Sequence, residues 1–115
     1  MIEAALVKYL NDNLDVDAFA EYPEIAPAQF VLLEKTGSSS KNMIASATIA
    51  IQSYAKTLID AIKLNEKVKD TMENLQEADY IIRCDLNTDY NFTDTATRKY
   101  RYQAVYDITY YKEDV

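Results

Sequence analysis

The chain has no histidine, no tryptophan, one glycine and one cysteine among its 115 residues. Without histidine there is no His-based triad, no imidazole general base and no imidazole metal ligand. Gly37 alone cannot build a phosphate cradle or a dinucleotide fingerprint, because both need several glycines. Cys84 alone forms no internal disulfide and no cysteine-rich zinc cluster. No apolar run approaches the ~18 residues of a membrane span. Neither enzymatic activity, nor a cofactor, nor a metal, nor a membrane partner is expected from this inventory.

Positive charge is also scarce. Lysine and arginine total 12 against 19 acids, a net charge of −7. A DNA-reading domain normally carries a basic face, so direct nucleic-acid recognition is not expected. The imbalance is uneven along the chain. Residues 1–34 hold Glu3, Asp12, Asp15, Asp17, Glu21, Glu24 and Glu34 against Lys8 alone. Arg98, Lys99 and Arg101 gather near the other end. Opposed patches of this kind suit contacts between identical subunits, although they also suit solvated faces. The opening MIEAALVKYLNDNLD has acids in its first turns and no basic leader, so it reads as an amphipathic helix and synthesis in the cytosol is expected.

What is present is clear periodicity. Ile2, Ala5, Leu6, Tyr9 and Leu10 form one helical stripe that ends at Asn11-Asp12-Asn13. A short extended piece spans Val16 to Tyr22. Pro23 and Pro27 then hold an ordered crossing. Ala28 to Thr36 reads as a strand apolar on both sides, which asks for cover on both faces. Gly37-Ser38-Ser39-Ser40-Lys41-Asn42 reads as a hairpin tip. Met43 to Ser53 alternates as a half-buried strand. A second helix is expected over Ala55 to Leu75, with its stripe on Leu58, Ala61, Ile62, Leu64, Val68, Met72 and Leu75. Two strands of about ten residues close the chain, Asp79–Tyr90 and Lys99–Tyr110. The order α-β-β-β-α-β-β predicts an α+β fold. It is an antiparallel sheet of four to five strands with both helices on one face. No repeat or linker interrupts it, so one domain is expected over residues 1–115.

Carboxylate chemistry needs paired acids. Asp85 and Asp89 fall on one face of one strand, but no partner base accompanies them. Asp12, Asp15 and Asp17 lack the spacing and the glycine of a calcium loop. Cys84 reads as a core thiol. The tyrosines are unusual, with seven of ten in residues 80–111. Tyr100, Tyr102, Tyr106 and Tyr110 share a face with Ile108 and read as core, with hydroxyls at its rim. Tyr111, Arg83 and Arg101 lie on the opposite, polar face. Tyrosine and arginine favour interface cores, so Arg83, Arg98, Lys99, Arg101 and Tyr111 are candidate subunit-interface residues.

The stretch Tyr22-Pro23, then Ala26-Pro27-Ala28-Gln29-Phe30-Val31-Leu32-Leu33-Glu34-Lys35-Thr36-Gly37, resembles the first hairpin of tail terminator (tail completion) proteins of long-tailed bacteriophages. The resemblance runs on through Ala47-Thr48-Ile49-Ala50-Ile51-Gln52-Ser53-Tyr54-Ala55, the long helix, and Tyr90-Asn91-Phe92-Thr93-Asp94 before Arg101-Tyr102-Gln103-Ala104. It implies the same helix-and-sheet fold and a hexameric ring. Such a ring caps the tail tube at its set length and then offers a surface for joining to the head. It also implies a hairpin loop that contacts the tube, here Gly37, Ser38, Ser39, Ser40, Lys41 and Asn42. The implied partners are further copies of the chain, the major tail tube protein and the head connector or completion protein. The implied location is the host cytoplasm during assembly, then the virion. A head completion or stopper protein of the neck is the nearest rival. An acidic protein-binding or DNA-mimic module is a more remote one, although acids and bases here segregate by region.

Overall fold

In the computed structural model, which describes residues 1–115, the first helix α1 is Ile2–Asn13. Its buried residues Ile2, Leu6 and Leu10 recur every fourth position, so one stripe meets the sheet. The chain then forms β1 (Asp17–Phe19), β2 (Phe30–Lys41) and β3 (Ile44–Ala55). The second helix α2 is Leu58–Glu73. Thr57 caps it by accepting the Asp60 backbone N–H at 3.1 Å. A 3-10 turn, Asn74–Glu77, leads to β4 (Ile81–Asn91), and β5 (Tyr100–Tyr111) follows. Ala55, expected in the helix, instead ends β3 opposite Tyr100.

The fold is α+β, in the order expected. The five strands form one sheet, β1-β2-β3-β5-β4. It is antiparallel except that β1 runs parallel to β2, Asp17 beside Phe30 and Phe19 beside Leu32. Asn11 on α1 secures that short strand. Its side chain accepts from the Ala18 N–H at 2.8 Å and donates to the Ala18 carbonyl at 3.1 Å. Both helices cover the same face. Leu6 and Leu10 of α1 and Leu64, Val68 and Met72 of α2 pack in one core with Val31, Leu33, Ile49, Ile51, Tyr106 and Ile108.

Two expectations are corrected by the strand pairing. The stretch Gly37–Lys41 is not a hairpin tip. It continues β2, with Ser38 paired to Ala47 and Lys41 to Ile44. The turn is only Asn42-Met43, and Asn42 takes the left-handed conformation, φ 58°. The residues are turn formers locally. The twelve-residue β3 beside them offers a full ladder of hydrogen bonds, and unpaired backbone groups favour taking it. Gly37 adopts no positive φ, and a Cβ built there meets nothing within 4 Å.

The second correction concerns β4. Its register shifts between Ile81 and Arg83 and again between Leu86 and Thr88. Each shift is a bulge, and each inserts one residue and reverses the faces beyond it. Tyr90 therefore leaves the helix face, and its hydroxyl accepts from Gln103 Nε2 at 2.6 Å. Asp89 turns toward the helices instead. It lies 3.0 Å from Lys69 Nζ and accepts from Asn65 Nδ2 at 2.8 Å. Asp85 remains on the open face beside Asp107, its cross-strand partner. The paired carboxylates expected on one face are thus divided between two.

Candidate assembly surfaces

The sheet face away from the helices is built from alternate residues of β2, β3, β5 and β4. Toward the ends of β3 and the start of β5 it is covered by the chain itself. Phe30 and Tyr54 stack with ring centroids 4.6 Å apart, and Tyr22 meets both edge-on at 5.5 and 5.7 Å. The crossing through Pro23 and Pro27 thereby covers the outer side of β2. Cover on both faces was expected there, and no second subunit is needed for it. A polar row continues across the strands. Arg101 donates to the Tyr54 hydroxyl at 2.7 Å, which donates to Gln52 at 3.3 Å. Gln52 donates to Gln103 at 2.8 Å. Both glutamines are buried, so each pairs within the protein.

The five candidate interface residues separate on this frame. Arg101 is engaged internally. It lies 4.5 Å from the Phe92 ring centroid and donates to the Phe92 carbonyl at 2.6 Å, besides its bond to Tyr54. Arg83 pairs with Asp85 two residues along its own strand. Tyr111 is exposed beside Ile44, its cross-strand partner. Lys99 sits 4.6 Å above the Tyr22 ring. Arg98 is exposed and stands in the left-handed region, φ 57°. Asp94 shapes that turn by accepting from the Ala96 and Thr97 backbone N–H groups at 3.0 and 3.4 Å. Arg98 and Lys99 come together with Lys56 around a cavity of about 280 Å³ whose floor includes Phe30 and Tyr54. Arg83 and Tyr111 lie toward the other end of the sheet.

The candidate contact segment Gly37 to Asn42 is exposed throughout. Beyond Leu32, β2 has no outer neighbour, so residues 33–41 form an open sheet edge. The hairpin end also carries apolar side chains, of which only Tyr111 was a candidate from sequence. Met43, Ile44 and Tyr111 are all exposed there, and the Lys112 N–H bonds the Met43 carbonyl at 2.9 Å. Ile25, between the two prolines, was likewise missed. A large apolar residue fixed by flanking prolines was the available signal.

Of the acids in residues 1–34, Glu3, Asp12 and Asp15 are in ion pairs, as are Asp85 and Asp89 of β4. Asp12 pairs with Lys8 and Asp15 with Lys67. The Lys69 ammonium and then the Asn65 amide hold the Asp89 carboxyl below its usual range. Burial, with some help from Asp85, pushes the Cys84 thiol up to about 11. Burial also raises the Tyr106 hydroxyl. No helix is long and apolar enough to cross a membrane. No protein-family model matches this chain, and no curated protein matches it in sequence.

Proposed function

We propose that the chain is the subunit of a ring that caps a phage tail tube, halts its elongation and offers the surface to which the head joins. The mechanism is surface complementarity without covalent chemistry. The observation that carries the reading is the β2–β3 hairpin. Two twelve-residue strands end in a two-residue turn, and every β2 residue from Glu34 to Lys41 is exposed. Such an arm, tipped with Met43 and Ile44, suits docking on a tube rim. The open edge along residues 33–41 suits strand addition there. The element order α-β-β-β-α-β-β supports the same reading, because it accompanies the sequence resemblance along nearly the whole chain. On this proposal the subunits assemble in the host cytoplasm and remain in the virion, between tail tube and head connector.

The test is assembly without the protein. Phage lacking it should make tails of uncontrolled length and heads without tails, seen by electron microscopy. Normal-length tails attached to heads would overturn the reading. A stopper protein of the neck predicts the intermediate result, normal tails with unjoined heads.

A further inference from the structure

We propose that copies of this chain meet head to tail through two unlike patches, a basic knob at Ile25 and an acidic groove between α2 and β4. The inference rests on the ring reading only in requiring that copies meet.

The knob is the Pro23–Pro27 crossing. Ile25 is 89 % exposed, the largest exposure among the big apolar side chains. The prolines on either side fix the backbone, so little freedom is lost when the side chain docks. Lys56, Arg98 and Lys99 line the cavity beside Ala26 and Pro27. None of these cations is in an ion pair within the chain. Arg98 holds a left-handed backbone that glycine would adopt without strain. A long cation kept in that conformation, with no partner of its own, suits a charge presented outward. Glu24, next to Ile25 in the crossing, lines with Glu21, Val7 and Phe19 a neighbouring cavity that shares only Tyr22 with the basic one.

The groove is a cavity of about 370 Å³. Met72, Cys84, Leu86 and Tyr106 form its apolar part, with Glu66, Asp70 and Glu73 of α2 around it. Leu86 is 44 % exposed on the unpaired side of the edge strand β4. The one cation there, Lys69, is held between Glu66 and Asp89, 3.0 Å from each. The groove thus offers an apolar seat within an acidic rim. The knob offers an apolar side chain beside a basic rim.

The charges also determine which pairings form. Knob against knob sets cations together, and groove against groove sets carboxylates together. Both are repulsive, and only knob against groove is complementary. The two patches share no residue, so the contact is heterologous. Such a contact is repeated from copy to copy, and it closes into a ring where the rotation between copies divides a full turn.

The experiment measures the mass of the full-length protein by light scattering and sedimentation. R98E/K99E and D70K/E73K each change exposed residues, and circular dichroism should show both folded. Each variant alone should stay monomeric. An equimolar mixture should regain the wild-type assembly, and so should one chain carrying all four changes. Wild-type association should fall roughly tenfold or more on raising salt. In a C84S background, I25C/L86C should give a ladder of disulfide-linked oligomers, whereas I25C and L86C alone should not self-link. Wild-type-like assembly of R98E/K99E or of D70K/E73K on its own would overturn the proposal. So would disulfide dimers of either single-cysteine chain, or a wild-type chain that does not associate together with an I25C/L86C chain that does not cross-link. Failure of the tail-length test alone would leave these association results standing, which separates the two ideas.

Discussion

Asp85 and Asp89 are four residues apart, and unbroken alternation would put them on one face. Their replacement by alanine should have very different consequences. Asp89 accepts from Asn65 Nδ2 at 2.8 Å, and Asn65 is fully buried. The other polar atom of that amide, Oδ1, has no partner. Asp89→Ala therefore leaves a buried side-chain amide with nothing to bond. A hydrogen bond to a charged group is worth about 1.5–3 kcal/mol. The ion pair with Lys69, whose partners are each about a quarter exposed, adds less than about 1 kcal/mol. The expected loss is about 2–3 kcal/mol. With a urea m-value of roughly 1.5 kcal/mol/M for this size, the midpoint should fall by about 1–2 M. Asp85→Ala removes an exposed pair with Arg83 and relieves the proximity of Asp107, so its midpoint should stay within about 0.3 M of wild type.

The pH dependence gives the same contrast. The folded carboxyl of Asp89 is held below its unfolded value, so its stabilisation is complete above the unfolded pKa and is lost as pH falls through the folded one. The wild-type advantage over Asp89→Ala should therefore shrink below about pH 4. Replacing Asn65 by leucine in the Asp89→Ala chain should recover part of the loss, because the orphaned amide is gone. Equal costs for the two aspartates, or a greater cost for Asp85, would refute the bulge between Leu86 and Thr88 and the faces assigned beyond it.

Three further outcomes test the packing. Leu6→Ala should cost about 2–5 kcal/mol in denaturant unfolding, since Leu6 is wholly buried where α1 meets the sheet. Gly37→Ala should be neutral or stabilising by up to about 1 kcal/mol, because Gly37 is in a strand with open space at its Cβ, whereas Asn42→Ala should cost about 1 kcal/mol at its left-handed turn. Cys84 should react with a thiol reagent at pH 8 roughly a hundredfold more slowly in the folded chain than in urea, because burial raises its pKa from 9.0 to about 11.

The candidate surfaces were partly legible in the sequence. Arg98 and Lys99 are grouped there, and the structure keeps both exposed beside Lys56. Arg101, one position beyond Tyr100, looks equivalent in sequence. It instead folds over Phe92 and bonds Tyr54, since alternation in β5 points it at the aromatic cluster. Ile25 and Leu86 belong to no obvious motif, because exposure of an apolar residue depends on what the rest of the chain leaves uncovered.

The sequence by itself determined the order of elements, the two helix stripes and the alternating core of β3 and β5. These depend on local periods of 3.6 and 2, which are written directly in the spacing of Leu6 and Leu10, Leu64 and Val68, Ile49 and Ile51. Tertiary structure decided what depends on a neighbour. The extension of β2 through Gly37–Lys41 exists because β3 offers it a ladder. The exchange of faces at Asp89 and Tyr90 exists because β4 inserts one extra residue against β5. Strand partners satisfy backbone hydrogen bonds at a distance in sequence, and a single inserted residue reverses every side chain that follows it.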